Sequence, residues 1–304
     1  MGHGAPGGVT RVRPSWDALE PALRADLERL AGGRVVGARS CPGGFSPGFA
    51  SRLTLAGGGR AFAKAIDARR WPHEVDAYRA EIRANAALPA GTPAPRLLGA
   101  VDDRRWVALV FEDVDGVHPD PWTPDALDRV LAATADLGRP AGPLPRDRPR
   151  LGGWATLTAD RLADPWTAAA LPRLVALERD GPAAARGDSL VHGDLHPHNV
   201  LLTPDRVVVV DWPHARPGSP LVDLVTVVTS AVADGIDPDA ALRRHAGHVP
   251  PRDLDAVLAA HAGFLVAGGL ATMPPGLEPI AAAKRRLGAA AVRWLRGRLG
   301  PITD

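Results

Sequence analysis

Period-two apolar runs fall in the first third of the chain, between and after two helical stretches, and a helical period governs most of the rest, so the pattern itself divides the sequence. Leu19, Leu23, Leu27 and Leu30 share one helical face, which predicts a helix over 15–30 with Ser15 as its N-cap and Gly32-Gly33 as its stop. Three β-like runs follow at 34–40, 49–56 and 60–66. The first two are joined by the glycine-rich stretch Cys41-Pro42-Gly43-Gly44-Phe45-Ser46-Pro47-Gly48, the last two by Gly57-Gly58-Gly59. A helix is expected over 72–88, stopped by Pro89, Pro93 and Pro95, and then a hairpin of strands over 96–101 and 105–111. At Glu112-Asp113-Val114-Asp115-Gly116 the composition turns polar. Beyond it the pattern predicts helices over 123–137, 154–162, 165–178, 219–233, 238–245, 252–270 and 278–298, with one valine strand, 207–210, in their midst. The expected organisation is a loose arm (1–14), an α+β lobe with an antiparallel sheet and a helix (15–114), and a larger, mainly helical lobe (115–304).

Composition narrows the classes. With 304 residues, 45% hydrophobic and 23% charged, the chain suits a globular protein of two lobes. The apolar run around 264–270 is short and glycine-broken, and residues 1–14 lack an apolar core, so neither a membrane span nor a signal peptide is expected. The single cysteine, Cys41, excludes an internal disulfide and fits a reducing cytoplasm. The formal charge is +2 although the pI is about 9.2, because nearly all the cations are arginines. They form no basic stripe with interleaved aromatics, so nucleic acid is not the expected partner.

Only two lysines, Lys64 and Lys284, stand among 36 basic residues. In the run 61–66, alternation puts Phe62, Lys64 and Ile66 on one face, and a charge between two apolar residues there needs a partner or a ligand. Glu74 and Glu81, seven apart on the following helix, are both candidate partners. The second constellation is His192-Gly193-Asp194-Leu195-His196-Pro197-His198-Asn199, followed by the valine strand that ends on Asp211. Asp194 and Asn199 have the D-x-x-x-x-N spacing of a kinase catalytic loop, and Asp211 stands where a metal-binding acid follows it. That chemistry needs an acceptor for a hydroxyl proton, which Asp194 offers, and hard oxygen donors for Mg²⁺, which Asn199 and Asp211 offer. His192 reads as a structural anchor of the loop, and Asp223, early in an apolar helix, as a brace for the loop amides. The rival is a transition-metal site built on His192, His196 and His198.

The run HGDLHPHN, then VVVVDW, then PLVDL resembles the aminoglycoside phosphotransferase family of small-molecule kinases, over nearly the whole chain. The resemblance implies a bilobal protein-kinase-like α+β fold and transfer of phosphate from ATP or GTP, with Mg²⁺, to a hydroxyl of a small molecule. By it Asp194 is the catalytic base, Asn199 and Asp211 hold the metal, and Lys64 contacts the α/β-phosphates. Glu74, near the helix start, is the glutamate expected to orient Lys64. Gly43, Gly44, Phe45 and Ser46 form the loop over the phosphates, Phe62 flanks Lys64 on the nucleotide face, and Glu112, Asp113 and Val114 hold the adenine. The sequence departs from the kinase pattern in Trp212-Pro213 after the metal acid, which implies no mobile activation segment, and in Phe45 and Pro47 within the glycine loop. A non-catalytic nucleotide-binding protein is the alternative, and a protein kinase is disfavoured by the short interval between Asp211 and the Asp223 helix.

Overall fold

The structure, a computed structural model, describes residues 13–41, 46–146, 151–245, 247, 249–274 and 276–301. The chain forms two compact units, one of Met1–Ala86, Ala94–Gly116 and Val210–His214, the other of Ala87–Pro93, Val117–Val209 and Ala215–Asp304.

In the first unit the helix expected over 15–30 is split. Trp16–Ala18 is a single 3₁₀ turn, Ser15 makes no side-chain cap, and α1 runs Pro21–Ala31. Pro21 is the cause: it cannot continue a preceding helix but is pre-set to begin one. Gly32, at φ 82, closes α1 by donating to the Arg29 and Glu28 carbonyls. β1 (Val35–Ser40), β2 (Phe49–Leu55), β3 (Arg60–Asp67), α2 (Val75–Ala87), β4 (Leu97–Asp102) and β5 (Trp106–Glu112) follow. The strands make an antiparallel sheet in the order β1-β2-β3-β5-β4.

Strand alternation gives this sheet two different faces. Ala61, Ala63 and Ala65 of β3, with Ala108 and Val110 of β5, pack under Leu19, Leu23 and Leu27. The small alanines let α1 approach closely. On the other face Ile66, Val107, Leu109 and Phe111 meet Val75 and Tyr78 of α2, with Phe62 alongside. Lys64 lies on this second face, as the alternation requires.

The second unit is mainly helical, with α3 (Pro124–Thr134), α4 (Pro165–Ala184), α5 (Leu221–Ala233), α6 (Pro238–His245), α7 (Pro251–Leu270) and α8 (Glu278–Leu299). Thr123 caps α3 through Ala126 N–H, and Asp164 caps α4 through Thr167 N–H. The helix expected over 154–162 is instead two 3₁₀ turns, Trp154–Thr156 and Ala159–Arg161. Their geometry is imposed from outside: Glu178 of α4 accepts the Gly153 and Trp154 amides, and the Trp154 indole donates to Ala259 O on α7. α4 packs on α7, α7 on α8, and α8 on the apolar α5. Two short antiparallel pairs sit among the helices: β6 (Ser189–Val191) with β9 (Arg216–Gly218), and β7 (Val200–Leu202) with β8 (Val207–Val209). Against the expectation that no run reaches membrane-spanning length, α7 is long and apolar enough, at 20 residues and mean hydropathy 1.3; 61% of that window is buried in the unit. The helix itself was expected over 252–270; its apolar stretch was read as short because Gly263, Gly268 and Gly269 interrupt the run without interrupting the helix.

Candidate functional site

The first unit brings Lys64, Glu81 and Asp211 together. Lys64 Nζ forms an ion pair with Glu81 and donates to Asp211 Oδ1 at 2.8 Å. The Glu81 side chain is 3% exposed and also accepts the Trp212 amide, so one buried carboxylate holds both the lysine and the residue after Asp211. Burial opposes the Lys64 charge, but Asp211 and Glu81 outweigh it and hold the ammonium above its ordinary pKa. Burial pushes Glu81 up, Lys64 pulls it down, and the neighbouring Asp211 adds to the rise. Asp211 itself has φ 67, the one positive φ outside glycine among the described residues. Aspartate tolerates this left-handed conformation better than most side chains, and such conformations gather at functional sites.

The pairing corrects the expectation for Glu74. That residue precedes α2, which begins at Val75 and not at 72, and Glu81 two turns further along meets the lysine. The reason is helical phase: Val75, Tyr78, Glu81, Ala84 and Ala87 are the buried positions of α2, and Glu81 stands on that stripe. An acid on an apolar stripe was the available signal.

Of the glycine loop, Gly43, Gly44 and Phe45 lie outside the described residues. Ser46 Oγ is 2.7 Å from the Tyr78 hydroxyl, and Phe62 is half-buried beside Phe111, with ring centroids 6.4 Å apart. In the 112–114 segment the Asp113 carboxylate is committed to structure. Arg52 donates to it twice, at 2.6 and 2.9 Å, Arg60 pairs with it at 2.7 Å, and Arg52 also donates to Val114 O. That commits the side chain of Asp113 to an arginine clamp and leaves its backbone for the adenine expected at this segment. Glu112 ends β5, its N–H donating to Arg96 O, and Val114 is buried. Arg52 and Arg60 went unnoticed because two arginines on adjacent strands carry no sequence motif.

In the second unit the His192–Asn199 loop is held by a carboxylate from α5 and by two hydrogen bonds of its own. Asp223, 3% exposed at the start of α5, accepts the His192 amide at 2.6 Å and the Gly193 amide at 2.8 Å. Burial pushes its carboxyl up, while its surroundings, these two amides and Arg216 among them, oppose the rise. Gly193 takes φ 78, which a side chain would resist. His192 is fully buried and its Nδ1 accepts from Asp194 N–H at 3.2 Å, which fixes the ring proton on Nε2. Asn199 Nδ2 donates to Asp194 O at 2.9 Å; a carbonyl can only accept, so this bond also fixes Oδ1 as the remaining end of the amide. The Asp194 carboxylate is 41% exposed, with His196 Nε2 3.8 Å away. His261 on α7 is buried, and burial drops its pKa to about 4 against the pull of Asp194. Among the described residues no three His, Cys, Asp or Glu side chains converge as a metal-holding group. The loop histidines instead pack edge to face, His196 on His198 at 5.9 Å and His118 on His198 at 6.0 Å.

The fold has counterparts among known structures. The chain superimposes on the spectinomycin phosphotransferase APH(9)-Ia, solved with ADP and spectinomycin, with a TM-score of 0.59 at 13% identity, over 89% of this chain and 97% of that one. It superimposes on the choline kinase LicA from Streptococcus pneumoniae with a TM-score of 0.60 at 10% identity, over 88% and 98%. A choline/ethanolamine kinase family protein from Mesorhizobium loti gives 0.54 at 18% identity, over 91% and 94%. No curated protein matches significantly by sequence. At these identities the likeness establishes the protein-kinase-like fold of small-molecule kinases. Over residues 38–260 the sequence matches the family model itself, and the chain belongs to the phosphotransferase enzyme family (APH).

Proposed function

We propose that the chain transfers the γ-phosphoryl group of ATP to a hydroxyl of a small molecule. The observation that carries this reading is the buried Glu81 carboxylate holding Lys64, with Asp211 on the same ammonium. A desolvated lysine retained by two carboxylates is a costly arrangement for stability alone, and it suits a group that must meet phosphate oxygens. Lys64 contacts the α/β-phosphates, oriented by Glu81. Asp194, exposed and held by its backbone, accepts the proton of the acceptor hydroxyl as the oxygen–phosphorus bond forms and the β–γ bridging bond breaks, releasing ADP. Asn199 Oδ1 and the Asp211 carboxylate are hard oxygen donors and fit Mg²⁺, which would neutralise charge on the phosphates. Backbone groups of 112–114 are assigned to the adenine, residues 15–114 to nucleotide binding and 115–304 to the acceptor. Membership of the family and the ADP held by APH(9)-Ia support the nucleotide, and the single cysteine suits a reducing cytoplasm.

The acceptor is a hydroxylated antibiotic or metabolite, a range spanned by the spectinomycin and choline kinases above. A phosphate-transfer screen with ATP and Mg²⁺ against aminoglycosides, macrolides, amino alcohols, nucleosides and sugars tests it, with Asp194→Ala as control. Transfer that vanishes in the control is expected. Nucleotide binding with no transfer to any acceptor would favour a non-catalytic role.

A further inference from the structure

Tyr78 is the chain's one tyrosine, buried on the face of α2 that packs against the sheet. A phenylalanine would fill the same space, so the hydroxyl is what needs an account. It bonds neither helix nor sheet: its partner is Ser46 Oγ, 2.7 Å away, at the end of the glycine loop. Ser46 Oγ also receives the Gly48 amide at 3.3 Å, the next N–H available because Pro47 has none. Arg13 Nη1 donates to the Gly48 carbonyl at 3.2 Å. Gly48 is obligatory here, because a Cβ would fall within 2.5 Å of the Ala65 carbonyl oxygen and press on the Tyr78 hydroxyl. The other end of the same side chain serves Lys64, whose Nζ is 5.6 Å from the ring centroid.

We propose that Tyr78 is a positioning residue for the nucleotide phosphates, donating its hydroxyl proton to Ser46 so that the Ser46 proton is kept for a phosphate oxygen, while its ring flanks the Lys64 ammonium. This rests on the phosphotransferase reading of Lys64 and Ser46. A serine oxygen accepts two bonds and donates one; with Tyr78 and Gly48 on the accepting side, the donor is what remains. Burial raises the Tyr78 pKa against the opposing Lys64 charge, which keeps the phenol a donor across the working range. One residue on α2 thereby sets both the hydroxyl and the ammonium that meet the phosphates.

The test uses Tyr78→Phe, Ser46→Ala and the double variant. Tyr78→Phe preserves the packing and is expected to raise the nucleotide KM about three- to tenfold, the weight of one hydrogen bond, with kcat within about twofold. Ser46→Ala should do the same, and the double variant should be no worse than Ser46→Ala alone. An unchanged KM in Tyr78→Phe, or fully additive effects, would overturn the proposal. Labelling with 3-fluorotyrosine gives one fluorine resonance, expected to shift when the Mg²⁺ complex of a non-hydrolysable ATP analogue is added to the otherwise wild-type protein and to stay put in Ser46→Ala. Wild-type protein that binds no nucleotide would sink the phosphotransferase reading and this proposal together; equal binding by wild type and Tyr78→Phe would sink this proposal alone.

Discussion

Asp223 spans two consecutive backbone amides, taking the His192 N–H on Oδ2 at 2.6 Å and the Gly193 N–H on Oδ1 at 2.8 Å. The carboxylate sits in the first turn of α5, where the helix dipole favours a negative charge. Both amides immediately precede Asp194, so the fork fixes where that side chain leaves the backbone. Asp223→Ala strands the buried His192 donor and the half-buried Gly193 donor, at up to about 1–3 kcal/mol each, and a loss of about 2–5 kcal/mol in urea denaturation is expected. Where the variant remains folded, kcat should fall by about 10²-fold from misplacement of Asp194. Asp223→Asn, which keeps one acceptor, should fall between. Full activity in folded Asp223→Ala would remove the bracing role.

Glu81 and Glu74 separate cleanly by experiment. Removing one partner of a buried ion pair costs about 3–5 kcal/mol, and Glu81→Ala leaves Lys64 to Asp211 alone. The nucleotide KM is expected to rise at least tenfold in Glu81→Ala. Glu74→Ala, at a half-buried position before α2, should stay within about twofold. Steady-state kinetics on the two variants decide it, and a larger effect at Glu74 would reverse the assignment.

The contrast between these two glutamates shows where the sequence is legible. β3 could be read because period-two alternation sorts Ala61, Ala63 and Ala65 from Phe62, Lys64 and Ile66 without reference to anything distant. In the His192–Asn199 loop two of the hydrogen bonds are local, Asp194 to His192 and Asn199 to Asp194, so spacing encodes that part of the geometry, while Asp223 reaches the His192 and Gly193 amides from about 30 residues away. The choice between Glu74 and Glu81 depends on where α2 begins, and helix starts are set by neighbouring turns: here the Val75 amide returns to Trp71 O. The Arg52–Asp113–Arg60 clamp joins two strands to a residue more than 50 positions further along the chain, and Glu178 reaches the amides of Gly153 and Trp154 from another helix. Such partners are visible only once the chain is folded.

Asp211→Asn isolates charge from backbone. Asparagine tolerates the left-handed φ of 67 as well as aspartate does, so the conformation is preserved while the negative charge is lost. With the charge gone, Lys64 retains Glu81 and the proposed Mg²⁺ site would lose its carboxylate. A kcat loss of about 10²-fold or more and a rise of at least tenfold in the half-saturating Mg²⁺ concentration are expected in a magnesium titration, scaled on the loss of one preorganised electrostatic group. Chelation should abolish transfer by the wild type. An unchanged magnesium dependence in Asp211→Asn would take Asp211 out of the metal site.

His261 gives the protein a pH-dependent stability whose sign follows from its burial. Its folded pKa is about 4 against 6.5 for the free side chain, because the packed environment on α7 disfavours the imidazolium more than Asp194 attracts it. Below pH 6.5 the unfolded chain takes up a proton that the folded chain refuses, so stability falls as pH drops through the window from about 6.5 to 4. The full shift corresponds to about 3 kcal/mol, all of it present above pH 6.5 and lost by the lower end of the window. His261→Gln, which does not titrate, should show a shallower decline between pH 7.5 and 5 in urea denaturation, and its deficit relative to wild type should shrink as the pH is lowered. Parallel pH profiles for the two proteins would mean that His261 keeps an ordinary pKa in the folded state.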